Sequence, residues 1–205
     1  MRKLKLTKKL RIPKTSQEEF LKEQGFNRIC GVDEVGRGAW AGPLVAAAVI
    51  LNKRLYGLRD SKLLTSKERE KLSKKIKKTS SWGIGEVSVE ELNKLKMTKS
   101  TQLAFKRAIA KIKKPEFVLA DGFKFESSIP CRALKKGDMT CSSIAAASII
   151  AKVHRDKIMR KLDNEIKGYY FNKHKGYGTK LHQRRLAKLG PSKHHRLFYK
   201  NFKDS

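Results

Sequence analysis

Short apolar runs alternate with longer amphipathic stretches along most of this chain. Apolar runs bounded by turn residues are typical of buried strands, whereas a 3.6-residue apolar period is typical of helices. The pattern predicts strands at residues 28–32, 44–51, 81–87 and 116–120, with a short extended segment at 129–134. It predicts helices at 16–24, 65–78, 88–113 with a restart near Lys99, from 140 or 142 to about 166, and a basic one ending near 189. This order predicts an α/β fold, a mixed sheet flanked by helices with a small helical C-terminal lobe.

The length of the chain, 205 residues, suits one hydrophobic core better than two. Residues 1–15 are predicted to form a basic, flexible tail, because the first fourteen residues carry seven basic side chains and no acid. We expect one main domain at residues 16–168 and, at 169–205, a helical extension of that domain. No internal repeat is visible.

The net charge of +30 is the strongest global signal in the composition. Such an excess indicates a polyanionic partner, with nucleic acid as the first expectation and a membrane surface as the alternative. The longest apolar run, residues 39–51, is too short to span a bilayer, so no membrane partner is expected. No secretory signal is visible, which favours a cytoplasmic protein, and we expect a monomer.

Three cysteines occur without a C-x-x-C pair, so neither a zinc site nor a disulfide framework is indicated. Cys30, Cys131 and Cys141 are therefore expected to be small buried apolar residues. Trp40 and Trp82 are likewise expected in the core.

The segment GVDEVGRG at residues 31–38 carries the chemistry that the pattern suggests first. Adjacent strand residues face opposite sides, so Asp33 and Glu34 can serve one cleft only if the strand stops or bends there. Gly36 and Gly38 permit that bend, and Arg37 between them has the fork geometry of a phosphate ligand. The alternative is an exposed acidic turn between two strands.

Two more acidic positions also lie where an apolar strand meets a turn: Asp121 before Gly122, and Asp138 after Gly137. Ligand clefts form at strand ends in sheets that contain parallel strands. Four carboxylates meeting there would repel one another unless cations lay among them. Two divalent ions, Mg²⁺ or Mn²⁺, suit an all-oxygen site and the hydrolysis of a phosphodiester.

Six motifs follow one another in the order found in one enzyme family. They are GVDEVGRG at 31–38 with AGP at 41–43, DSK at 60–62, DG at 121–122, KGD at 136–138, AAASIIAKV at 145–153 with RD at 155–156, and HKGYGT at 174–179. Together they resemble type 2 ribonuclease H, the bacterial ribonuclease HII family, over roughly residues 26–198.

The resemblance implies a ribonuclease H-like fold and an endonuclease whose partners are RNA–DNA hybrids and ribonucleotide-containing duplex DNA. It implies cleavage of the RNA strand and nicking 5′ of single embedded ribonucleotides, leaving 3′-hydroxyl and 5′-phosphate ends, as in ribonucleotide excision repair. The implied metal ligands are Asp33, Glu34, Asp121 and Asp138. The implied substrate-binding residues are Gly36, Arg37, Gly38, Ser61, Lys62, Lys175 and Tyr177. The Gly-Arg-Gly loop would sense the 2′-hydroxyl, and Tyr177 would pack on the sugar beside it.

Several alternatives stay open. Lys62 could instead be a solvated turn residue, and Asp156 competes with Asp138 as the fourth carboxylate, although its neighbour Arg155 favours a structural ion pair. His174 could be a metal ligand or a general acid, but a single histidine in a basic turn more often contacts phosphate or is solvated. His182, His194 and His195 are expected at the surface.

Two rival functions also fit the motifs and the charge: the related type 3 enzyme, which cuts hybrids but not single embedded ribonucleotides, and a non-catalytic nucleic-acid-binding protein.

Overall fold

A computed structural model describes residues 16–58, 61 and 64–199. The predicted basic tail, Lys62 and the last six residues lie outside the described residues. Within the described part, no helix is both long enough and apolar enough to cross a membrane.

A five-stranded mixed sheet forms the centre of the fold, in the order β3-β2-β1-β4-β5. The strands are β1 Ile29–Val35, β2 Leu44–Leu51, β3 Ser80–Val87, β4 Phe117–Asp121 and β5 Cys131–Leu134. β1 and β2 are antiparallel, as are β2 and β3, whereas β1, β4 and β5 run parallel to one another. The carboxyl ends of β1 and β4 therefore lie at the same end of the sheet.

Helices cover both faces of the sheet. They are α1 Ser16–Glu23, α2 Ser66–Thr79, α3 Val89–Ile109, α4 Gly137–Thr140, α5 Ser142–Glu165, α6 Phe171–His174 and α7 Lys180–Leu189. The prediction of a mixed sheet flanked by helices is confirmed. α2 and α3 begin with capping boxes at Thr65 and Ser88, in which side chain and backbone satisfy each other's hydrogen bonds.

The strand β2 shows why its sequence is apolar at every position. Alternate residues Leu44, Ala46 and Ala48 pack against the α3 side of the sheet, in a cluster with Phe105. The intervening residues pack with α5 and α2 on the other side. A strand buried on both faces has no solvent-facing position for a polar side chain.

The helix α5 lies directly against β1. A Cβ atom at Gly31 would collide with the backbone of Ser143 and Ile144, so only glycine allows this close approach. The buried carboxylate of Glu18 on α1 accepts hydrogen bonds from Ser143 N (2.8 Å) and Ser143 Oγ (3.0 Å) at the beginning of α5. This contact satisfies a backbone donor that no side chain of the N-cap residue Cys141 reaches.

Several local predictions differ from the structure. β1 does not stop before the carboxylates but continues to Val35. The interruption predicted in α3 exists, but it lies at Lys96 (φ 60°), three residues before the restart predicted near Lys99. Trp82 is 37 % exposed because β3 is an edge strand, so its placement in the core was wrong. Cys131 lies on the other edge strand, β5, and is exposed, so the prediction that it is buried was also wrong.

Candidate active site

A cavity of about 570 Å³ opens at the end of the sheet where β1 and β4 finish. The four candidate carboxylates all contribute to its wall. The complete lining is Asp33, Glu34, Val35, Gly36, Arg37, Gly38, Ser61, Asp121, Asp138, Ser148, Lys152 and Tyr177. The structure thus brings together four carboxylates whose positions, from Asp33 to Asp138, span about half the length of the chain.

Strand lengths explain how two adjacent carboxylates reach one cavity. The pairing of β1 with β4 ends at Val32 and Ala120, while β1 continues beside β2 through Asp33 and Glu34. Asp33 and Glu34, the two acidic residues of β1, therefore have no paired residue of β4 beside them. The expected stop in β1 is not needed, because the neighbouring strand ends instead.

The other two carboxylates come from the two elements that follow. Asp121 is the last residue of β4, and its Oδ1 accepts a hydrogen bond of 2.6 Å from Gly137 N. Asp138 lies on the single turn α4, immediately after that glycine. The hydrogen bond therefore ties the β4 carboxylate to the turn that carries the fourth one.

Burial and like charge raise the pKa of the two β1 carboxyl groups. The pKa of Asp33 is raised well above its usual range, first by burial and then by the charges of Glu34 and Asp121. Burial also raises the pKa of Glu34, although the guanidinium of Arg37 opposes the shift. Its Oε1 lies 3.4 Å from Arg37 Nη1, and its Oε2 is buried without a hydrogen-bond partner among the described residues.

These features fit a divalent cation. A divalent cation would bind the unpartnered carboxylate oxygen of Glu34 and would reduce the repulsion between the carboxylates that raises the pKa of Asp33. Carboxylate oxygens are also the hard donors that such ions prefer. As the side chains stand in residues 16–58, 61 and 64–199, no three acidic, histidine or cysteine groups are arranged so that they could hold a metal ion. The carboxylates share one cavity without forming a ready-made metal site.

The loop at residues 36–43 forms one side of the cavity, and two buried arginines hold it. Arg155 donates to the carbonyls of Pro43 (Nε, 3.0 Å), Ala41 (Nη2, 3.1 Å) and Lys175 (Nη1, 2.9 Å). A side chain at Gly36 (φ 98°) would collide with Arg155.

Arg196 holds the same loop from the C-terminal part of the chain. Its guanidinium donates to the carbonyls of Gly36 (Nη1, 2.5 Å), Gly42 (Nε, 2.9 Å) and Pro43 (Nη2, 3.0 Å), and contacts that of Arg37 (3.3 Å). Arg155 and Arg196 are both fully buried, and burial lowers the pKa of each, that of Arg196 to about 10. The loop thus gains a rigid framework of charge-assisted bonds to backbone carbonyls.

Sequence reasoning missed this role for both arginines. For Arg155 a signal exists: it lies on the same helical face as the buried residues Ala151, Met159 and Leu162. An arginine within an apolar stripe predicts a buried guanidinium that needs several acceptors. For Arg196 the local sequence contains no comparable signal.

Tyr177 reaches the cavity from the segment between α6 and α7. Its ring lies 5.4 Å from the Arg155 guanidinium, and its backbone forms a bridge with Ala39. The backbone N–H of Trp40 donates to the carbonyl of Gly176 at 2.8 Å, which joins the two loops. The glycine-rich loop and Tyr177 therefore form one connected rim.

The histidines of this region are buried, contrary to the prediction of surface residues. His182 is 0 % and His195 1 % exposed, and His174 is also buried, whereas His194 is half-buried. Their imidazoles contact aromatic rings: Phe171 packs on the nearby His174, whereas Trp40 contacts His182 and Tyr169 contacts His195 across longer stretches of the sequence.

The remaining predicted residues are placed as follows. Ser61 lines the cavity and its Oγ lies 3.0 Å from that of Ser148. The amino group of Lys175 turns back to the carbonyl of Asn172. Asp156 forms an ion pair of 2.8 Å with Lys152 one turn earlier, so the expected structural pair exists, but with Lys152 instead of Arg155.

Comparison with known proteins decides the family. The family model described as Ribonuclease HII matches residues 30–202. The chain belongs to the ribonuclease HII family. It is accordingly a hydrolytic endonuclease with ribonuclease H activity on RNA–DNA hybrids.

Curated relatives of this family cover nearly the whole chain. The Ribonuclease HII of Cutibacterium acnes is 46 % identical over 193 residues, which is 90 % of this chain and 94 % of that protein. The Ribonuclease HII of Chlamydia muridarum is 45 % identical over 188 residues, covering 89 % and 87 %.

Solved structures share the fold. RNase HII from Archaeoglobus fulgidus, solved in complex with PCNA, superposes with a TM-score of 0.74 at 26 % identity and covers 85 % of this chain and 96 % of its own. Bst-RNase HIII, solved in complex with Mn²⁺, gives a TM-score of 0.68 at 22 % identity, covering 85 % and 68 %. The predicted ribonuclease H-like fold is confirmed.

Proposed function

We propose that this ribonuclease HII nicks duplex DNA on the 5′ side of single embedded ribonucleotides, in addition to cutting hybrids, and leaves 3′-hydroxyl and 5′-phosphate ends. The observation that carries the proposal is the single cavity at the ends of β1 and β4, in which four carboxylates share a wall with Arg37 and Tyr177. Such an activity would remove misplaced ribonucleotides from DNA.

Asp33, Glu34, Asp121 and Asp138 are the residues that would hold two divalent ions, Mg²⁺ or Mn²⁺. When bound, such ions supply an activated water and neutralise the charge that develops on the leaving 3′-oxygen. The orphaned Oε2 of Glu34 and the raised pKa of Asp33 support this assignment, because an anionic cluster of this kind is stable only with a cation among its oxygens.

The rim residues fit recognition of the sugar and backbone. Arg37 is exposed beside the carboxylates, where its planar guanidinium can contact a phosphate oxygen. The exposed backbone of Gly38 and the ring of Tyr177 can contact a 2′-hydroxyl without reading a base, and this hydroxyl is what distinguishes RNA from DNA. The buried Gly36 lines the same cavity. Ser61 extends the same wall, and contacts of Lys62 and Lys175 with the substrate stay predictions.

The test is cleavage of an end-labelled DNA duplex that contains one ribonucleotide, with products mapped to the nucleotide. We expect one nick on the 5′ side of the ribonucleotide in Mg²⁺ and none in EDTA. A continuous RNA–DNA hybrid is the parallel substrate. Cleavage of the hybrid together with an intact single-ribonucleotide duplex would refute the proposal in favour of type 3 specificity.

Asp33→Asn tests the assignment of the carboxylates. It should lower Mg²⁺-dependent cleavage by about 10³-fold or more, because the metal site loses a charged ligand. Duplex binding measured in EDTA should stay within about twofold of the wild type. The matched control is Asp163→Asn, on the half-buried last turn of α5 and not among the residues that line the cavity. Equal cleavage by Asp33→Asn and wild type would exclude the mechanism.

A further inference from the structure

Three buried imidazoles form a hydrogen-bonded network behind Tyr177. The backbone N–H of Gly176 donates to His174 Nδ1 at 3.2 Å, and His174 Nε2 lies 2.8 Å from the carbonyl of Tyr169. A backbone N–H can only donate and a carbonyl can only accept. His174 must therefore be the neutral tautomer that carries its proton on Nε2.

The same reasoning fixes the other two rings. Ser192 N donates to His195 Nδ1 at 2.9 Å, so neutral His195 carries its proton on Nε2. That proton points to His182 Nε2, 3.1 Å away. His182 Nδ1 lies 3.1 Å from the carbonyl of Tyr177, so His182 accepts at Nε2 and donates from Nδ1. In each ring one nitrogen thus accepts and the other donates, and the hydroxyl of Ser192 also lies 2.9 Å from His195 Nδ1.

These bonds converge on the backbone that carries Tyr177. The N–H of Tyr177 donates to the carbonyl of His174 at 3.0 Å, and the carbonyl of Tyr177 receives the His182 proton. Lys175, two residues earlier, is the C-cap residue of α6 and has the left-handed conformation (φ 53°), which is uncommon for a residue with a side chain.

We propose that His174, His182 and His195 are positioning residues that hold Tyr177 against the cavity and thereby set the enzyme's preference for a ribonucleotide at an RNA-to-DNA junction. This inference rests on the proposed function, because it deepens the role given there to Tyr177. The three histidines do not line the cavity and touch no reacting atom. They act on the substrate only through the backbone of residues 174–179.

Packing and electrostatics keep the network neutral. The rings of His174 and His182 stack with centroids 4.3 Å apart, and burial is the largest cause that lowers the pKa of all three histidines. For His182 and His195 the pKa falls to about 4. A second proton on any ring would replace an accepted hydrogen bond by a clash between two donors.

Imidazole ¹⁵N NMR tests the network directly, because it reports the tautomer of each histidine, which does not depend on the stability of the protein. At pH 7 we expect the Nδ1–H tautomer for His182 and the Nε2–H tautomer for His174 and His195. An Nε2–H or doubly protonated His182 would overturn the network, because His195 would then have no acceptor.

Kinetics test the function of the network through the junction preference, which is kcat/KM for the single-ribonucleotide duplex divided by kcat/KM for a continuous hybrid. His182→Phe keeps the ring volume and removes both hydrogen bonds, so the preference should fall about tenfold. His182→Asn retains a donor near the position of Nδ1 and should restore a measurable part of it. His194→Phe, the same change at a half-buried neighbouring histidine, is the matched control and should keep the wild-type preference.

A double-mutant cycle with Tyr177→Ala shows whether His182 acts through Tyr177. If it does, His182→Phe changes the preference by less than about twofold in the Tyr177→Ala background. Equal effects of His182→Phe in both backgrounds, or an unchanged preference when His182→Phe is made in the wild-type background, would overturn the inference. Failure of the proposed function is distinguishable, because the wild-type enzyme itself would then show no junction preference. Thermal unfolding of each variant shows whether it is folded. If His182→Phe does not fold, His182→Asn takes its place in the cycle.

Discussion

Lowering the pH from 7 to 5 should destabilise the folded protein through His182 and His195. Both rings are buried, and burial lowers the pKa of each to about 4, whereas a histidine in an unfolded chain titrates near 6.5. A group with a lower pKa in the folded state takes up its proton only on unfolding. Its contribution to stability is therefore complete above about pH 6.5 and is lost as the pH falls towards 4.

The magnitude follows from proton linkage. At pH 5 each of these histidines is protonated in the unfolded chain and neutral in the folded one, which costs about 2 kcal/mol per ring and about 4 kcal/mol for the pair. Asp33 and Glu34 act in the opposite direction, since their pKa values are raised in the folded protein. These carboxylates contribute equally to the wild type and to His182→Phe, so the difference between the two proteins isolates the histidine.

The assay is urea unfolding between pH 5 and pH 7 at fixed ionic strength in EDTA, with the free energy of unfolding extrapolated to water. His182→Phe should lose about 2 kcal/mol less free energy of unfolding than the wild type over this range. The difference from the wild type should be smaller in His194→Phe, which removes a half-buried imidazole. His174, Asp163 and Lys175 are unchanged in every variant, whereas His194, whose charge also acts on His195, is replaced in the control. A pH dependence that is the same in the wild type and in His182→Phe would refute the reasoning.

Three further substitutions test the framework of the site by urea unfolding. Arg196→Met leaves the carbonyls that hold the loop at residues 36–43 without their buried donor and should cost about 3 kcal/mol or more; a loss below about 1 kcal/mol would contradict the assigned role. Gly31→Ala forces a Cβ into the backbone of α5 and should lower the free energy of unfolding by more than about 3 kcal/mol. The control is Gly25→Ala, which has open space around it at φ 91° and should lose about 1 kcal/mol. Equal losses in the two variants would refute the close approach of α5 to β1. Glu18→Gln weakens the charge-assisted hydrogen bonds at the beginning of α5 and should lower the free energy of unfolding by about 1–2 kcal/mol. An unchanged urea midpoint of unfolding would show that these bonds do not stabilise the fold.

The sequence by itself determined the elements whose signals are local. β2 was predicted with its observed bounds because a run of eight apolar residues that follows Gly-Pro is typical of a strand buried on both faces. The beginnings of α2 and α3 followed from Thr65 and Ser88, each three residues before a glutamate. The carboxylates were found because each lies where an apolar run ends, and the ends of parallel strands meet at one edge of a sheet.

Only the tertiary structure decided which polar residues are buried and what they hold. His182 and His195 lie in polar, basic sequence, and their burial comes from contacts with Trp40, Tyr169 and Phe171, which the local pattern does not contain. Trp82 is exposed since the order of strands places β3 at an edge, and strand order is a property of the whole chain. A polar side chain can be buried wherever distant segments supply its hydrogen-bond partners, so its environment is fixed only when the chain has folded around it.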